Sequence, residues 1–159
     1  IGENEAGLKT MFDTSSAGGK FESATPMEIL LEAAAACSAI DVVAMLNKRK
    51  KTITDFNIEV NGEKRDEHPN IYTKVHMDYI MISPDIEANE LERAISLSME
   101  KYCSVSATIK LAGADVTFDY EGKHCIVDEK AAVQYINRDL PTFAFEINCY
   151  GRDYCLQLS

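Results

Sequence analysis

The sequence predicts an α+β fold built on an antiparallel sheet. Three observations carry this expectation. A long apolar run opens on a helix-capping motif, two later segments alternate apolar and polar residues, and a further segment repeats apolar residues at helical spacing.

In chain order, "GLKTMFDTSS" reads as a strand that ends in a Ser/Gly-rich loop over 15–19. Thr25-Pro26-Met27-Glu28 then combines an N-cap threonine, proline at the first helical position and glutamate at the third, a capping box. The helix it opens should run from about Pro26 to Lys48. "TDFNIEVNG" alternates Phe56, Ile58 and Val60 and closes on an Asn-Gly turn signal. A charged loop through Glu67-His68-Pro69 leads to "IYTKVHMDYIMI", whose residues Ile71, Val75, Tyr79 and Met81 form one face of a second long strand.

Ser83-Pro84-Asp85 breaks that strand. "NELERAISLSMEKYC" comes next, with Leu91, Ile95, Met99 and Tyr102 at helical spacing, so a second helix should end near Cys103 with Tyr102 in the core. "VSATIKL" continues as a short turn or helix and "ADVTFDYEG" as a strand. Near the end, "AFEINCYGRDYCLQL" reads as a hairpin turning at Tyr150-Gly151-Arg152-Asp153. Its flanking Cys149 and Cys155 read as unpaired thiols rather than a cross-strand disulfide.

Composition bounds the function. The chain has 159 residues, 46% of them hydrophobic, enough for one core with room for a small appendage. A net charge of −10 argues against nucleic acid as a partner, because phosphate binding rests on clustered Lys and Arg. The one basic run, Lys48-Arg49-Lys50-Lys51, complements the negative end of the first helix. Glu32 and Asp41 interrupt the most apolar run, so no membrane span is expected and the protein reads as cytoplasmic. Five cysteines, Cys37, Cys103, Cys125, Cys149 and Cys155, form no CxxC pair and no zinc-type cluster. No metal or cofactor is expected. His68 and His76 read as structural or surface residues without partners at ligand spacing.

Cys37 lies mid-helix among Ala33, Ala34 and Ala36, small neighbours that suit either a packed thiol or one a substrate must reach. Reaction needs the thiolate. Asp41 at i+4 opposes that form, and the local sequence supplies no cation. Cys103, 66 residues on, sits at a helix junction, and a second thiol within reach is what rescues a sulfenic acid.

Together "TPMEILLEAAAACSAIDVV", "EHPNIYTKVHMDYI" and "EKYCSVSATIK" resemble the OsmC/Ohr family, the osmotically inducible protein C and organic hydroperoxide resistance proteins. Within it they look most like the branch with a C-S/T-x-x-D-V-V first motif, over about Gly2 to Gly122. The resemblance implies an OsmC-like fold with two central helices, in an intertwined homodimer with its active sites at the subunit interface. It makes residues 1–121 the OsmC-like domain and 122–159 a C-terminal extension, adding strands to that domain or covering one edge as a separate lobe.

The resemblance also implies that Cys37 is peroxidatic and Cys103 resolving. The substrate would be a small-molecule organic hydroperoxide, and the reductant a dithiol or a lipoylated protein. Two family features differ here. Met27 stands where characterised peroxidases of the family carry a carboxylate, and no arginine precedes Arg49, leaving Lys9 and Lys20 as the cations before the helix. Glu28 is accounted for by the capping box. Met27 favours the alternative, a non-catalytic binding protein for an apolar or thiol-bearing ligand on the same scaffold. The cysteine pair favours the enzyme.

Overall fold

The computed structural model describes residues 1–20, 22–124, 146–151 and 154–156, with backbone alone for 123, 124 and the last two segments. The expected first strand is reduced to a small hairpin, β1 (Gly2–Glu3) against β2 (Lys9–Thr10). Beyond it the Asp13 carboxylate accepts hydrogen bonds from the backbone N–H groups of Thr14, Lys20 and Glu22, folding the chain into a loop.

Helix α1 spans Pro26–Lys48, as expected from the sequence, and starts at the capping motif. The Thr25 N–H donates to Glu28 Oε2 at 2.7 Å, and the Glu28 N–H donates to Thr25 Oγ1 at 3.3 Å. Such a cap stabilises a helix by about 1 kcal/mol. The apolar residues of α1 are spread around it rather than gathered in one stripe, so the helix needs cover on more than one side. Contrary to the sequence expectation, it is long and apolar enough to cross a membrane by length and composition. Here one of its faces instead fills the protein core: Leu31, Ala34, Ala35, Ala39, Val42 and Leu46 are buried against the sheet.

Strands β3 (Asp55–Lys64) and β4 (Tyr72–Ser83) pair antiparallel and bury Phe56, Ile58 and Val60 with Val75, Met77, Tyr79 and Met81. The inner face of β4 begins with Tyr72 rather than the expected Ile71. A register shift at Glu63/Lys64 inserts one residue into β4 and reverses the alternation at that end. Gly62 permits this arrangement, since a Cβ there would run into the Tyr72 ring. The Tyr72 hydroxyl donates to the Met27 carbonyl at 2.8 Å, pinning the start of α1 to the sheet.

Helix α2 (Ala88–Leu97), a π-helical turn (Ser98–Tyr102) and helix α3 (Ser104–Leu111) lead to strand β5 (Asp115–His124). Because these helices carry the chain back across the core, β5 pairs parallel to β4. Strand β6 (Glu146–Gly151) pairs parallel to β3, and β7 (Tyr154–Leu156) pairs antiparallel to β6. The five-stranded sheet, in order β5-β4-β3-β6-β7, is therefore mixed, which corrects the expectation of an antiparallel sheet. The predicted terminal hairpin is present as β6 and β7, while its turn residues Arg152 and Asp153, and Cys125, lie outside the described residues. Cys149 and Cys155 are not directly opposed: Cys149 faces Leu156 and Cys155 faces Tyr150.

A polar clasp joins the α1–β3 link to the start of α2. Lys51 Nζ lies 2.6 Å from Glu90 Oε2 and donates to the Asp85 carbonyl at 2.7 Å, while the Thr52 N–H donates to Asp85 Oδ1 at 2.9 Å. The hydrogen bond from Lys51 holds the Glu90 carboxyl below its ordinary value of 4.5. A depressed carboxyl pKa contributes stability above the unfolded value, and that contribution is lost as pH falls through the folded one. Glu90→Gln should therefore lower the urea midpoint at neutral pH. The difference from wild type should close as pH falls through the lowered Glu90 value, below which both carry an uncharged side chain.

Candidate functional site

The fold packs the α2–α3 junction against α1 and so brings together the neighbourhoods of two thiols separated by 66 residues. Cys37 is half-buried, about three turns into α1 at 3.6 residues per turn. Cys103 is only 2% exposed and is the N-cap residue of α3. The π turn makes this possible. The Cys103 N–H bonds back to the Ser98 carbonyl at 2.8 Å, five residues earlier, and the extra residue re-aims the side chains after it. Cys103 turns inward, and Tyr102 turns outward to 51% exposure, which corrects its assignment to the core. Lys110 of α3 holds the turn by donating to the Met99 carbonyl at 3.0 Å.

The Cys103 sulfur has a defined cradle. It lies 3.1 Å from Ser106 Oγ, accepts from the Ser106 N–H at 3.4 Å, and reaches the Ala34 carbonyl of α1 at 3.7 Å. Ala34 precedes Cys37 by three residues, so the two side chains are neighbours on the helix surface. Burial pushes the Cys103 thiol up. The bonds from Ser106 oppose that shift, while hydrogen bonding with Cys37 and its charge add to it.

Accessibility separates the two sulfurs, Cys37 half-buried and Cys103 enclosed. Iodoacetamide applied to the reduced native protein should modify Cys37 well before Cys103, as read by peptide mass spectrometry. The opposite order would contradict this geometry.

Behind the thiols runs a buried polar chain that the sequence reading missed. Tyr79 Oη and Ser38 Oγ lie 2.6 Å apart, and Ser98 Oγ faces both Ser38 Oγ at 3.1 Å and Asp41 Oδ2 at 2.9 Å. Ser38, Ser98 and Tyr79 are fully buried. Burial pushes the Tyr79 phenol up despite its bond to Ser38; Cys103, Asp41 and Cys37 add to that shift, so the phenol stays protonated at neutral pH. A signal existed in hindsight: Ser38 is a lone hydroxyl among apolar neighbours in "AAACSAI", and Ser98 continues the helical spacing of buried Leu91 and Ile95. Asp41 is thus engaged through Ser98.

The remaining candidates lie elsewhere. Met27, half-buried, packs against the hydrophobic core, and Glu28 serves the cap. Arg49 ends α1, which at 1.5 Å per residue puts its backbone about 18 Å along the helix from Cys37. Lys9 is exposed beside Glu3 at 3.9 Å, and Lys20 is exposed. Glu32, also on α1, has its carboxyl raised by burial and by nearby Glu28. A cavity of about 410 Å³ between α1 and α2 reaches Asp41 and is lined by Met45, Arg49, Leu97 and Tyr102 among others; neither cysteine lines it. His68 is exposed in its loop, and His76 lies on the outer face of the sheet.

The family model described as OsmC-like protein matches residues 18–119, which include Cys37, Cys103 and helices α1, α2 and α3. The chain belongs to the OsmC-like family. This OsmC-like chain is 37% identical over 121 residues to Protein YhfA of Escherichia coli K12, covering 76% of the chain and 87% of YhfA. A solved structure of a hypothetical protein from Aquifex aeolicus VF5 is 33% identical, with a TM-score of 0.58 over 66% of this chain and 79% of that one. An organic hydroperoxide resistance protein OsmC from Legionella pneumophila shares the fold, with a TM-score of 0.55 at 18% identity over 75% of this chain and 86% of that one. The α+β architecture is thus that of the OsmC-like proteins, with hydroperoxide-resistance proteins among its structural neighbours.

Proposed function

We propose that this protein is a thiol-dependent peroxidase that reduces organic hydroperoxides, with Cys37 as nucleophile and Cys103 as resolving thiol. The observation that carries the reading is the placement of the two thiols, one half-open and one enclosed: the Cys103 sulfur rests against the Ala34 carbonyl of α1, one turn before Cys37. The Cys37 thiolate attacks the terminal oxygen of the hydroperoxide. An S–O bond forms, the O–O bond breaks, and the departing alkoxide takes a proton and leaves as the alcohol. The sulfur of Cys103, on losing its proton, attacks the Cys37 sulfenic acid; the S–S bond forms and water leaves. A dithiol or a lipoylated protein then returns both thiols by exchange and is itself oxidised to a disulfide. The alanine-rich stretch around Cys37 suits a substrate with an apolar tail.

The proposal includes a homodimer. α1 carries apolar residues beyond the face it buries against the sheet, and Ile40, one turn from Cys37, is 62% exposed. A second copy would cover that face and bring further side chains to the thiol. Sedimentation velocity should give twice the chain mass; a monomer at micromolar concentration would remove this part of the proposal.

One observation favours a second reading. Met27 packs into the core where a catalytic carboxylate is sought, which suits a protein that holds an apolar or thiol-bearing ligand without turning it over. The discriminating experiment mixes the purified protein with cumene hydroperoxide and dithiothreitol. Peroxide loss that disappears in Cys37→Ser supports the enzyme, and loss no faster than buffer supports the binding protein.

A further inference from the structure

On the outer face of the sheet, away from the thiols, three side chains from two strands converge on one point. His76 and Asp78 succeed each other on the exposed side of β4, and β5 runs parallel with Thr117 beside His76 and Asp119 beside Asp78. His76 Nε2 lies 3.2 Å from Asp78 Oδ1 and 3.5 Å from Asp119 Oδ2. All three potential donor atoms fall within 4.8 Å of one another. We propose that His76, Asp78 and Asp119 form a binding site for a divalent transition-metal ion of the zinc class.

Three features support a metal in particular. The first is spacing. At bond lengths of about 2.0–2.2 Å, neighbouring ligand atoms of a tetrahedral ion stand about 3.3–3.6 Å apart. The two distances from His76 Nε2 are close to such polyhedron edges, so little rearrangement is needed to admit the ion. Three protein ligands leave a fourth position for water.

The second is the orientation of the imidazole. His76 Nδ1 lies 2.8 Å from Thr117 Oγ1, a partner able to accept the Nδ1 proton. With the proton on Nδ1, the Nε2 lone pair faces both carboxylates and can take an ion; with the proton on Nε2, that N–H donates to Asp78 Oδ1 and an ion would displace the proton. Metal-bound histidines are held in the first of these ways, with the second ring nitrogen donating to an oxygen.

The third is the surrounding charge. Glu59 of β3 stands directly opposite Asp78, so Glu59, Asp78 and Asp119 lie abreast across three adjacent strands. Like charges directly opposed on a sheet destabilise it, and a divalent ion relieves that repulsion. The same three residues, with Glu121, line a shallow cavity of about 310 Å³ whose lining contains no Lys or Arg.

Histidine with two carboxylates suits zinc, manganese or cobalt rather than a soft thiophilic ion. The sequence reading found no ligand partners for His76 because Asp119 arrives from 43 residues away, through the parallel β4–β5 pairing.

Cobalt(II) titrated into the reduced full-length protein provides the test, because thiolate ligation produces an intense charge-transfer band that nitrogen and oxygen ligands lack. The expected result is saturable binding of one equivalent without that band, retained in the Cys37→Ser/Cys103→Ser variant. Affinity should fall at least about tenfold in both His76→Ala and Asp119→Asn. Asp119 is 83% exposed, so Asp119→Asn should keep the fold, as checked by circular dichroism. Absence of saturable binding, a thiolate band, or affinity unchanged in Asp119→Asn would each overturn the site. None of these outcomes depends on peroxidase activity.

Discussion

Cys37→Ser is expected to reduce hydroperoxide consumption to the buffer rate, whereas Cys103→Ser should complete one turnover and leave a sulfenic acid behind. The asymmetry arises from the burial of the two sulfurs. Cys37 is half-open and can meet the peroxide, while Cys103 is enclosed by Ser106 and the Ala34 carbonyl and can act only on what forms beside it. Without reductant, the wild-type protein should consume one equivalent of peroxide, lose two free thiols and resist dimedone. Cys103→Ser should consume the same equivalent and acquire a dimedone adduct at Cys37, read by mass spectrometry. A dimedone adduct of equal yield in wild type would mean that Cys103 does not resolve. Peroxide loss undiminished in Cys37→Ser would remove the proposed nucleophile.

Tyr79→Ala is expected to be the most destabilising single substitution in the described core, at about 3–5 kcal/mol from lost burial and the cavity left behind. Its ring lies 6.3 Å from Phe56 and 6.2 Å from Phe118, and its hydroxyl begins the Ser38–Ser98–Asp41 chain. Tyr79→Phe isolates the polar part. It keeps the ring but removes a hydrogen-bond partner of a buried serine, at about 1–3 kcal/mol. A double-mutant cycle with Ser38→Ala should show the two substitutions coupled. Urea unfolding measures all of these, and a Tyr79→Phe change under about 0.5 kcal/mol would show that the chain contributes little to stability.

The phenol also sets a pH dependence. Burial raises its pKa, so above its ordinary value of 10.0 the unfolded chain releases this proton first. Stability should fall with rising pH in that range, and less so in Tyr79→Phe.

Local chemistry was readable from the chain. The start of α1 comes from Thr25, Pro26 and Glu28, which act on backbone groups within one turn. The alternation of Phe56, Ile58 and Val60 marks a face because side chains in a strand point to opposite sides by turns. Both cysteine motifs were legible for a different reason, their likeness to a known family. Reading failed where one inserted residue changed the phase. The register shift before Tyr72 and the π turn before Cys103 each rotate their neighbours, and neither has a signature in composition.

Taken alone, the sequence determined the elements, the family and which sulfurs to consider, because caps, strand alternation and helical spacing are properties of adjacent residues. Only the tertiary structure decided which residues meet. Strand direction depends on how the α2–α3 crossover returns the chain, and so the sheet is mixed. The contacts of Cys103 with Ala34, Ser38 with Tyr79 and His76 with Asp119 all join segments at least 41 residues apart. Such contacts arise from packing, which balances burial against hydrogen bonding over the whole core.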